Sequence, residues 1–459
     1  MTYVLGIDSS TQSCKALLVD AVTGEIVDSG RASHPDGTQV DPQAWLTAME
    51  EATAGLIDRA DAVAVGGQQH GMVPLDANGE VVRPAMLWND TSSASEAEEL
   101  IDELGGEQAC ADTVGSVLVA SLTGTKLRWL RNHEPENARK TSSVLLPHDY
   151  LTWHLGGRKE KTTDHGDASG TGYYSTRDRK SLPNLAEQYI GHALELPRVA
   201  EPNEVVGKTE SGALIAPGTG DNMAAALGLN LRPGDVCVSI GTSGVVSAVS
   251  KESVHDPSGL VTGFADATGN YLPLACTLNG AKVLDFAAML LGVDHGGLSQ
   301  LALSGKPGAG GVTMLPYFDG ERTPNRPDAT GHFAGLTTRT TREDIARAAV
   351  EGILCSLQDA INAVEAVTGN KAQRVLLTGG GARSEAMRRI APEIFGVDVI
   401  VPEPAEYVAL GAARQAAWAL NGAGSLPEWG LAKEQTFSGK PAPETVDKYQ
   451  RLRDLTENF

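Results

Sequence analysis

Two acidic residues in this chain stand where a carboxylate can do chemistry. Asp8 follows the apolar run Tyr3 to Ile7 and opens the polar turn Ser9-Ser10-Thr11-Gln12-Ser13. A tight turn of Ser and Thr points several backbone N–H groups and hydroxyls in one direction, a concavity that suits phosphate oxygens. A carboxylate beside such a turn can hold Mg²⁺ directly or through water. The same residues also make an ordinary hairpin whose Asp caps its own turn. A related turn, Gly241-Thr242-Ser243-Gly244, follows the strand-like Val236 to Ile240. Asp221 lies in Gly218-Thr219-Gly220-Asp221-Asn222, ahead of Ala224-Ala225-Ala226. Small neighbours let a substrate approach a carboxylate acting as general base, whereas the bland reading of the same Asp is a helix N-cap.

Three further segments carry polar groups at the ends of apolar stretches. Gly66-Gly67-Gln68-Gln69-His70-Gly71 follows a strand ending at Val65, and its amides and imidazole suit a site that reads hydroxyl groups. Trp88-Asn89-Asp90 offers a flat face with two polar groups. Thr378-Gly379-Gly380-Gly381-Ala382-Arg383-Ser384 follows Val375-Leu376-Leu377 and opens a helix, leaving room for a ring or a phosphate against the backbone. Gly411-Ala412-Ala413 begins a small-residue helix that can wall the same pocket as that Gly-rich turn. Each of these also has a purely structural reading as a turn or a satisfied core residue.

The elements that must position these residues alternate between strand and helix. The spacing predicts strands over 62–65, 144–146, 375–377 and 397–401, the last interrupted by Asp398, and a hairpin with strands at 3–7 and 15–19. Helices are predicted over 42–58, 342–366 and 383–395. Such alternation means an α/β fold. The two strand–turn–strand units near residues 8 and 241 suggest a duplicated architecture with a boundary near residue 230, where Leu231-Arg232-Pro233-Gly234-Asp235 reads as a hinge.

The 459 residues allow two or three domains at about 150 residues each. With 37 basic and 58 acidic residues the net charge is −21, and no basic run is dense enough for a nucleic acid or a membrane surface. Five scattered cysteines without metal spacing point to reduced thiols in a cytoplasm, most of them buried. The N-terminus lacks the pattern of a signal peptide, and no apolar stretch reaches the roughly 18 residues of a membrane span. Gly207-Lys208-Thr209 imitates the end of a P-loop, but Pro202 stands where that motif needs Gly, so the segment reads as a surface loop. No G-x-G-x-x-G follows a strand, which argues against a dinucleotide.

Taken in order, these segments resemble the FGGY carbohydrate kinases, and among them the xylulokinases. The resemblance rests on Asp8 through Lys15, Gln68-Gln69-His70-Gly71, Leu87-Trp88-Asn89-Asp90, Gly220-Asp221-Asn222, Ser239 to Gly244, Leu315-Pro316-Tyr317, Gly320-Glu321-Arg322-Thr323-Pro324 and Gly379 to Ser384. It implies the two-domain, actin-like (ribonuclease H-like) sugar-kinase fold with the active site in the interdomain cleft. It implies a sugar-binding domain over 1–231 and a nucleotide-binding domain over 232–459. By the same resemblance, ATP transfers its γ-phosphate to the terminal hydroxyl of a ketose, giving D-xylulose 5-phosphate from D-xylulose. Asp221 would be the base and Asp8 the Mg²⁺ and phosphate support. Gln69, His70, Asp221 and Asn222 would face the sugar, with Trp88 and Asn89 read beside them. Ser10, Thr11 and Gln12, with Gly241, Thr242 and Ser243, would bind phosphate, and Gly379, Gly380, Gly381 and Ala382 would lie against adenosine. A homodimer is expected from the family. Two residues depart from the family pattern: Ser10 replaces the usual Gly, and Gln69 stands where xylulokinases often have Met. Ribulose, gluconate and glycerol are the alternative substrates, and an actin-like or chaperone-like ATPase is the reading from another class.

Overall fold

The N-terminal apolar run becomes a strand, Tyr3–Ser9, in the computed structural model, which describes residues 1–422, 424–430 and 433–457. The strand continues through Asp8 and Ser9 because both pair across the hairpin, Asp8 with Lys15 and Ser9 with Cys14. The returning strand is Ser13–Asp20, so the connecting turn is shorter than the sequence suggests. Strand Ile26–Ser33 pairs antiparallel outside it, and Ala62–Gly67 pairs parallel on the other side of Tyr3–Ser9. Leu214–Ile215 follows in parallel, and Gly207–Lys208 closes that edge in antiparallel sense. The supposed P-loop imitation is thus a two-residue edge strand, paired to Leu214–Ile215, rather than a loop.

Alternation along these strands decides what covers each face. Leu5, Ile7, Val63 and Val65 face a core that includes Trp45, Leu46 and Met49 of helix Pro42–Thr53 and Tyr150 and Leu151 of helix Pro147–Leu155. Val4, Leu17, Ala62 and Ala64 face Ala409, Ala412, Ala413 and Ala416 of helix Tyr407–Leu420. Small residues let that helix come unusually close. A Cβ at Gly6 would overlap the Ala409 carbonyl oxygen, one at Gly411 the Ala224 carbonyl oxygen, and one at Gly228 the Tyr407 carbonyl oxygen. The helix is therefore wedged, backbone on backbone, between strand Tyr3–Ser9 and helix Asp221–Gly228.

The chain forms two compact units. The first comprises Met1–Asn230, Lys251–Leu272 and Ala405–Gly430; the second comprises Leu231–Ser250, Pro273–Pro404 and Leu431–Phe459. The Gly411 helix therefore belongs with the sheet that carries Asp8, and not with the unit of the Gly379 turn, because the glycines that admit it lie at positions 6 and 228.

The second unit repeats the strand plan of the first. Asp235–Ile240 pairs antiparallel with Gly244–Ala248, which pairs antiparallel with Leu274–Thr277. On the other side Asp235–Ile240 is parallel to Arg374–Thr378, which is parallel to Val399–Pro402, and Glu434–Phe437 closes the edge in antiparallel sense. The strand near 400 starts after Asp398 instead of running through it. Helix Arg342–Thr368 begins with a capping box in which Thr341 and Asp344 bond reciprocally, and helix Glu385–Phe395 starts at the Ser384 cap. The predicted helix over 42–58 stops at Thr53, and only a short 3₁₀ turn, Ile57–Arg59, follows. No helix among the described residues is long and apolar enough to cross a membrane.

The wedge makes Gly411→Ala informative. Helix propensity alone predicts a gain of about 1 kcal/mol. The overlap with the Ala224 backbone reverses the sign, and a net loss of about 1–3 kcal/mol is expected from urea unfolding midpoints.

Candidate active site

Asp8 lies on the same strand face as Val4 and Gly6, so its carboxylate emerges beside the start of helix Tyr407–Leu420. It is almost wholly buried. The Ser10 hydroxyl donates to Oδ1, and Lys15 Nζ sits 3.4 Å from Oδ2 and 2.7 Å from Glu406 Oε2. Burial raises the Asp8 carboxyl above its ordinary value, against the opposing pull of Ser10 and Lys15. Burial alone would lower Lys15, but Glu406 and Asp8 hold its ammonium above the usual value. Ser10, in place of the family's Gly, does not occupy the left-handed region, so a side chain there costs no backbone strain. Its hydroxyl is committed to Asp8, and its carbonyl accepts from His34 Nδ1 at 2.8 Å. Thr11 accepts from the indole N–H of Trp88 at 3.0 Å, and the Trp88 ring is otherwise exposed.

Asp221 is the first residue of helix Asp221–Gly228, and Gly220 takes the cap position without a side-chain bond. The N-cap reading of Asp221 therefore fails by one residue. Its Oδ1 accepts from the Asn222 backbone N–H at 2.8 Å and from Asn222 Nδ2 at 3.2 Å, while Asn222 Nδ2 also donates to Gln69 Oε1 at 2.7 Å. Glycine at 220 lets Gln69 pack against the start of this helix, since a Cβ there would lie 2.6 Å from Gln69 Cγ and displace that side chain. Burial, together with the charges of Asp8 and Asp167, pushes the Asp221 carboxyl up to about 7. That value suits a general base working near neutral pH.

His70 has φ 67°, in the left-handed region that side-chain-bearing residues rarely occupy. Its ring stacks at a tilt against Phe264, 5.4 Å between centroids, and its carbonyl accepts from the Thr123 hydroxyl at 3.0 Å. Both polar atoms of Gln68, Gln69 Nε2 and Asn89 Oδ1 are buried without a hydrogen-bond partner among the described residues. Buried polar atoms of this kind call for a bound hydroxyl or water. The structure thus brings Asp8, Ser10, Thr11, Trp88, Gln69, His70, Asp221 and Asn222 into one unit, in which Ser10 bonds to Asp8, Trp88 to Thr11 and Asn222 to both Gln69 and Asp221, while the charge of Asp8 acts on Asp221.

Gly241, Thr242, Ser243 and Gly379 to Ala382 lie in the second unit. The Gly241 and Thr242 carbonyls accept from Ala281 and Gly280 at 2.8 and 3.0 Å, which anchors the exposed turn to the start of helix Ala281–Leu291. Gly379 has φ 83° and abuts the Ile240 backbone, so the Gly-rich turn adjoins the second hairpin. Gly380 faces open space. A cavity of about 640 Å³ opens beside it, lined among others by Leu284, Asp285, His295, Gln300 and Arg388. The sequence does not single out these five residues, because helices Ala281–Leu291 and His295–Ser304, and helix Glu385–Phe395 that carries Arg388, show nothing beyond ordinary helical spacing.

Family models match nearly the whole chain. The N-terminal domain of the FGGY family of carbohydrate kinases matches residues 3–228, and its C-terminal domain matches residues 236–420. The chain belongs to the FGGY family of carbohydrate kinases. This FGGY chain is 48% identical to a xylulose kinase of Streptomyces coelicolor over 97% of its length and 93% of that protein's. It is 45% identical to a xylulose kinase of Streptomyces rubiginosus over 98% of its length and 94% of that protein's. The crystal structure of xylulose kinase from Bifidobacterium adolescentis superposes with a TM-score of 0.93 at 46% identity, covering 98% of this chain and 99% of that one.

The raised Asp221 carboxyl has a consequence for stability. Its folded value lies above the roughly 4 of an unfolded aspartate, so the folded chain holds this proton more tightly, and the associated stability is lost as pH rises through 7. Asp221→Asn, neutral throughout, is expected to melt above the wild type at about pH 8 and to lose that advantage near pH 4 in thermal melts.

Proposed function

We propose that the protein transfers the γ-phosphate of ATP to the terminal hydroxyl of D-xylulose, yielding D-xylulose 5-phosphate and ADP. The observation that carries this reading is the Gln69–Asn222–Asp221 chain, which ends in a carboxylate poised near neutral pH. The names of the full-length relatives support the sugar. The Gln68 amide, Gln69 Nε2 and Asn89 Oδ1, without a hydrogen-bond partner among the described residues, together with His70, provide donors and acceptors matched to a polyhydroxylated chain. Trp88, the chain neighbour of Asn89, provides an exposed flat face beside Thr11.

In this mechanism Asp221 accepts the proton of the terminal hydroxyl as that oxygen attacks the γ-phosphorus in line. The bond to the β,γ-bridging oxygen breaks, ADP departs, and Asp221 releases its proton to solvent. Phosphoryl transfer asks the protein mainly for positioning and charge stabilisation. Lys15 and the Ser10–Thr11–Gln12 turn lie beside Asp8 to meet phosphate charge. The cavity at Gly380 and Gly381 suits adenosine, and the Gly241–Ser243 turn suits the phosphates.

No group of three or more His, Cys, Asp or Glu among the described residues forms a metal cage. A lone buried carboxylate at Asp8 fits Mg²⁺ nonetheless, because this ion keeps several waters and phosphate oxygens and needs only one or two carboxylates. When bound, Mg²⁺ neutralises charge on the β- and γ-phosphates.

A panel of ketoses and polyols in an ADP-release assay tests the substrate. D-xylulose is expected to give the highest kcat/KM, and another preferred sugar would refute that assignment. Asp221→Ala should lower kcat by about 10²–10⁴-fold with ATP affinity intact. In the wild type kcat should rise with pH through about 7, as Asp221 ionises, and then level. Asp8→Asn should raise the Mg²⁺ concentration needed for half-maximal turnover, and an unchanged requirement would remove Asp8 from its metal role.

A further inference from the structure

Directly beneath the candidate sugar residues lies a charge cluster that the mechanism above does not use. His148, on helix Pro147–Leu155, is fully buried, as are Asp149 and Asp167, and Asp164 is nearly so. His148 Nδ1 donates to Asp167 Oδ2 at 2.7 Å, and Nε2 lies 3.2 Å from Asp149 Oδ1 and 3.9 Å from Asp164 Oδ1. One imidazole thus bonds to Asp167 and lies within ion-pair distance of Asp149 and Asp164, with no hydrogen bond from Nε2 to either.

Those carboxylates hold backbone that carries the site. The His70 backbone N–H donates to Asp167, at the residue whose φ lies in the left-handed region. Asp164 Oδ2 accepts from the Thr219 hydroxyl at 2.6 Å, and Thr219–Gly220 is the two-residue strand that delivers Asp221. That strand pairs in parallel with Gly66 and Gly67, the end of the strand leading to Gln68, Gln69 and His70. The imidazole fits between the two segments because both present glycine to it. A Cβ at Gly67 would lie 2.8 Å from His148 Cβ, and one at Gly218 would lie 2.8 Å from His148 Cδ2.

We propose that His148 is a positioning residue for phosphoryl transfer: through Asp167 and Asp164 it fixes the His70 backbone and the strand end that carries Asp221. This rests on the reading of Asp221 and His70 as sugar-site residues. The charge state agrees with the geometry. Burial by itself would lower the imidazole, but Asp149, Asp167 and Asp164 outweigh it and lift His148 to about 9. The carboxylates thus favour the imidazolium, and removing His148 takes away both the hydrogen bond to Asp167 and the charge that offsets this acidic cluster. The expected result is a shift of the two backbone segments, and displacement of about 1 Å at a phosphoryl-transfer site costs on the order of 10²-fold in rate.

The test compares His148→Gln, which removes the charge, with His148→Lys, which keeps a cation. Both are assayed on whichever sugar of the panel the wild type uses best, so that a wrong sugar assignment does not disturb the comparison. His148→Gln is expected to raise KM for the sugar and lower kcat, together about 10–100-fold in kcat/KM, with KM for ATP unchanged. His148→Lys is expected to recover most of the loss. Partial unfolding would instead reduce apparent kcat at unchanged sugar KM, and that outcome overturns the proposal. So does a folded His148→Gln with wild-type constants, or a lysine variant no better than glutamine. If His148→Gln does not fold, Thr219→Val decides, since it removes only the hydroxyl held by Asp164. Raised sugar KM with unchanged ATP KM supports the proposal, and wild-type constants overturn it.

Discussion

The approach of helix Tyr407–Leu420 to within backbone contact of strand Tyr3–Ser9 and helix Asp221–Gly228 governs the first unit. Close-packed interiors tolerate little change in volume, and here the spacing is set by absent side chains at Gly6, Gly228 and Gly411. The wedge also carries polar ties: Arg414 donates to the Leu227 carbonyl at 2.8 Å, and Gln415 donates to the Gly218 carbonyl at 3.1 Å. Glu406, just before the helix, meets Lys15 opposite Asp8. Two candidate catalytic carboxylates from the strand and the helix are thereby held against one rigid body.

That rigidity has an electrostatic result. Burial first, and then the charges of Asp8 and Asp167, raise the proton affinity of Asp221. Like charges held close push one group toward neutral pH. Asp8 is itself compensated by Ser10 and Lys15, and Asp167 by His148. Asp221 is held by the Asn222 backbone and side-chain N–H groups with no cation beside it among the causes of its shift, so burial and its two acidic neighbours together raise the proton affinity of the residue proposed to accept a proton.

The two units share a strand plan: three antiparallel strands, two parallel ones beyond the first, and an antiparallel closing edge. Each puts a short Ser- or Thr-bearing turn at the tip of its first hairpin. The duplicated turns have diverged in surroundings. The first is backed by His34, Trp88 and Lys15, and the second by the start of helix Ala281–Leu291.

Much of this was legible in the residues. The hairpins, the Gly-rich turn, Asp221 at a helix start and the helices near 342 and 385 all follow from local patterns, because turn chemistry and hydrophobic period act over a few neighbours. The ordered motifs also sufficed to assign the FGGY family, which the family models bear out over most of the chain. The charge cluster at His148 left only a trace, as His and Asp within Pro147-His148-Asp149 and Asp164-His165-Gly166-Asp167. Nothing local says that these side chains meet, since their partners are separated in the chain and depend on which strand face is buried. The same holds for the Gly411 helix, whose small residues are visible in sequence but whose partner is not. Composition and periodicity determined the elements and the chemistry they could offer. Only tertiary packing decided which glycines face which backbones, and with that the neighbours and proton affinity of Asp221, because burial and charge proximity are properties of the folded chain.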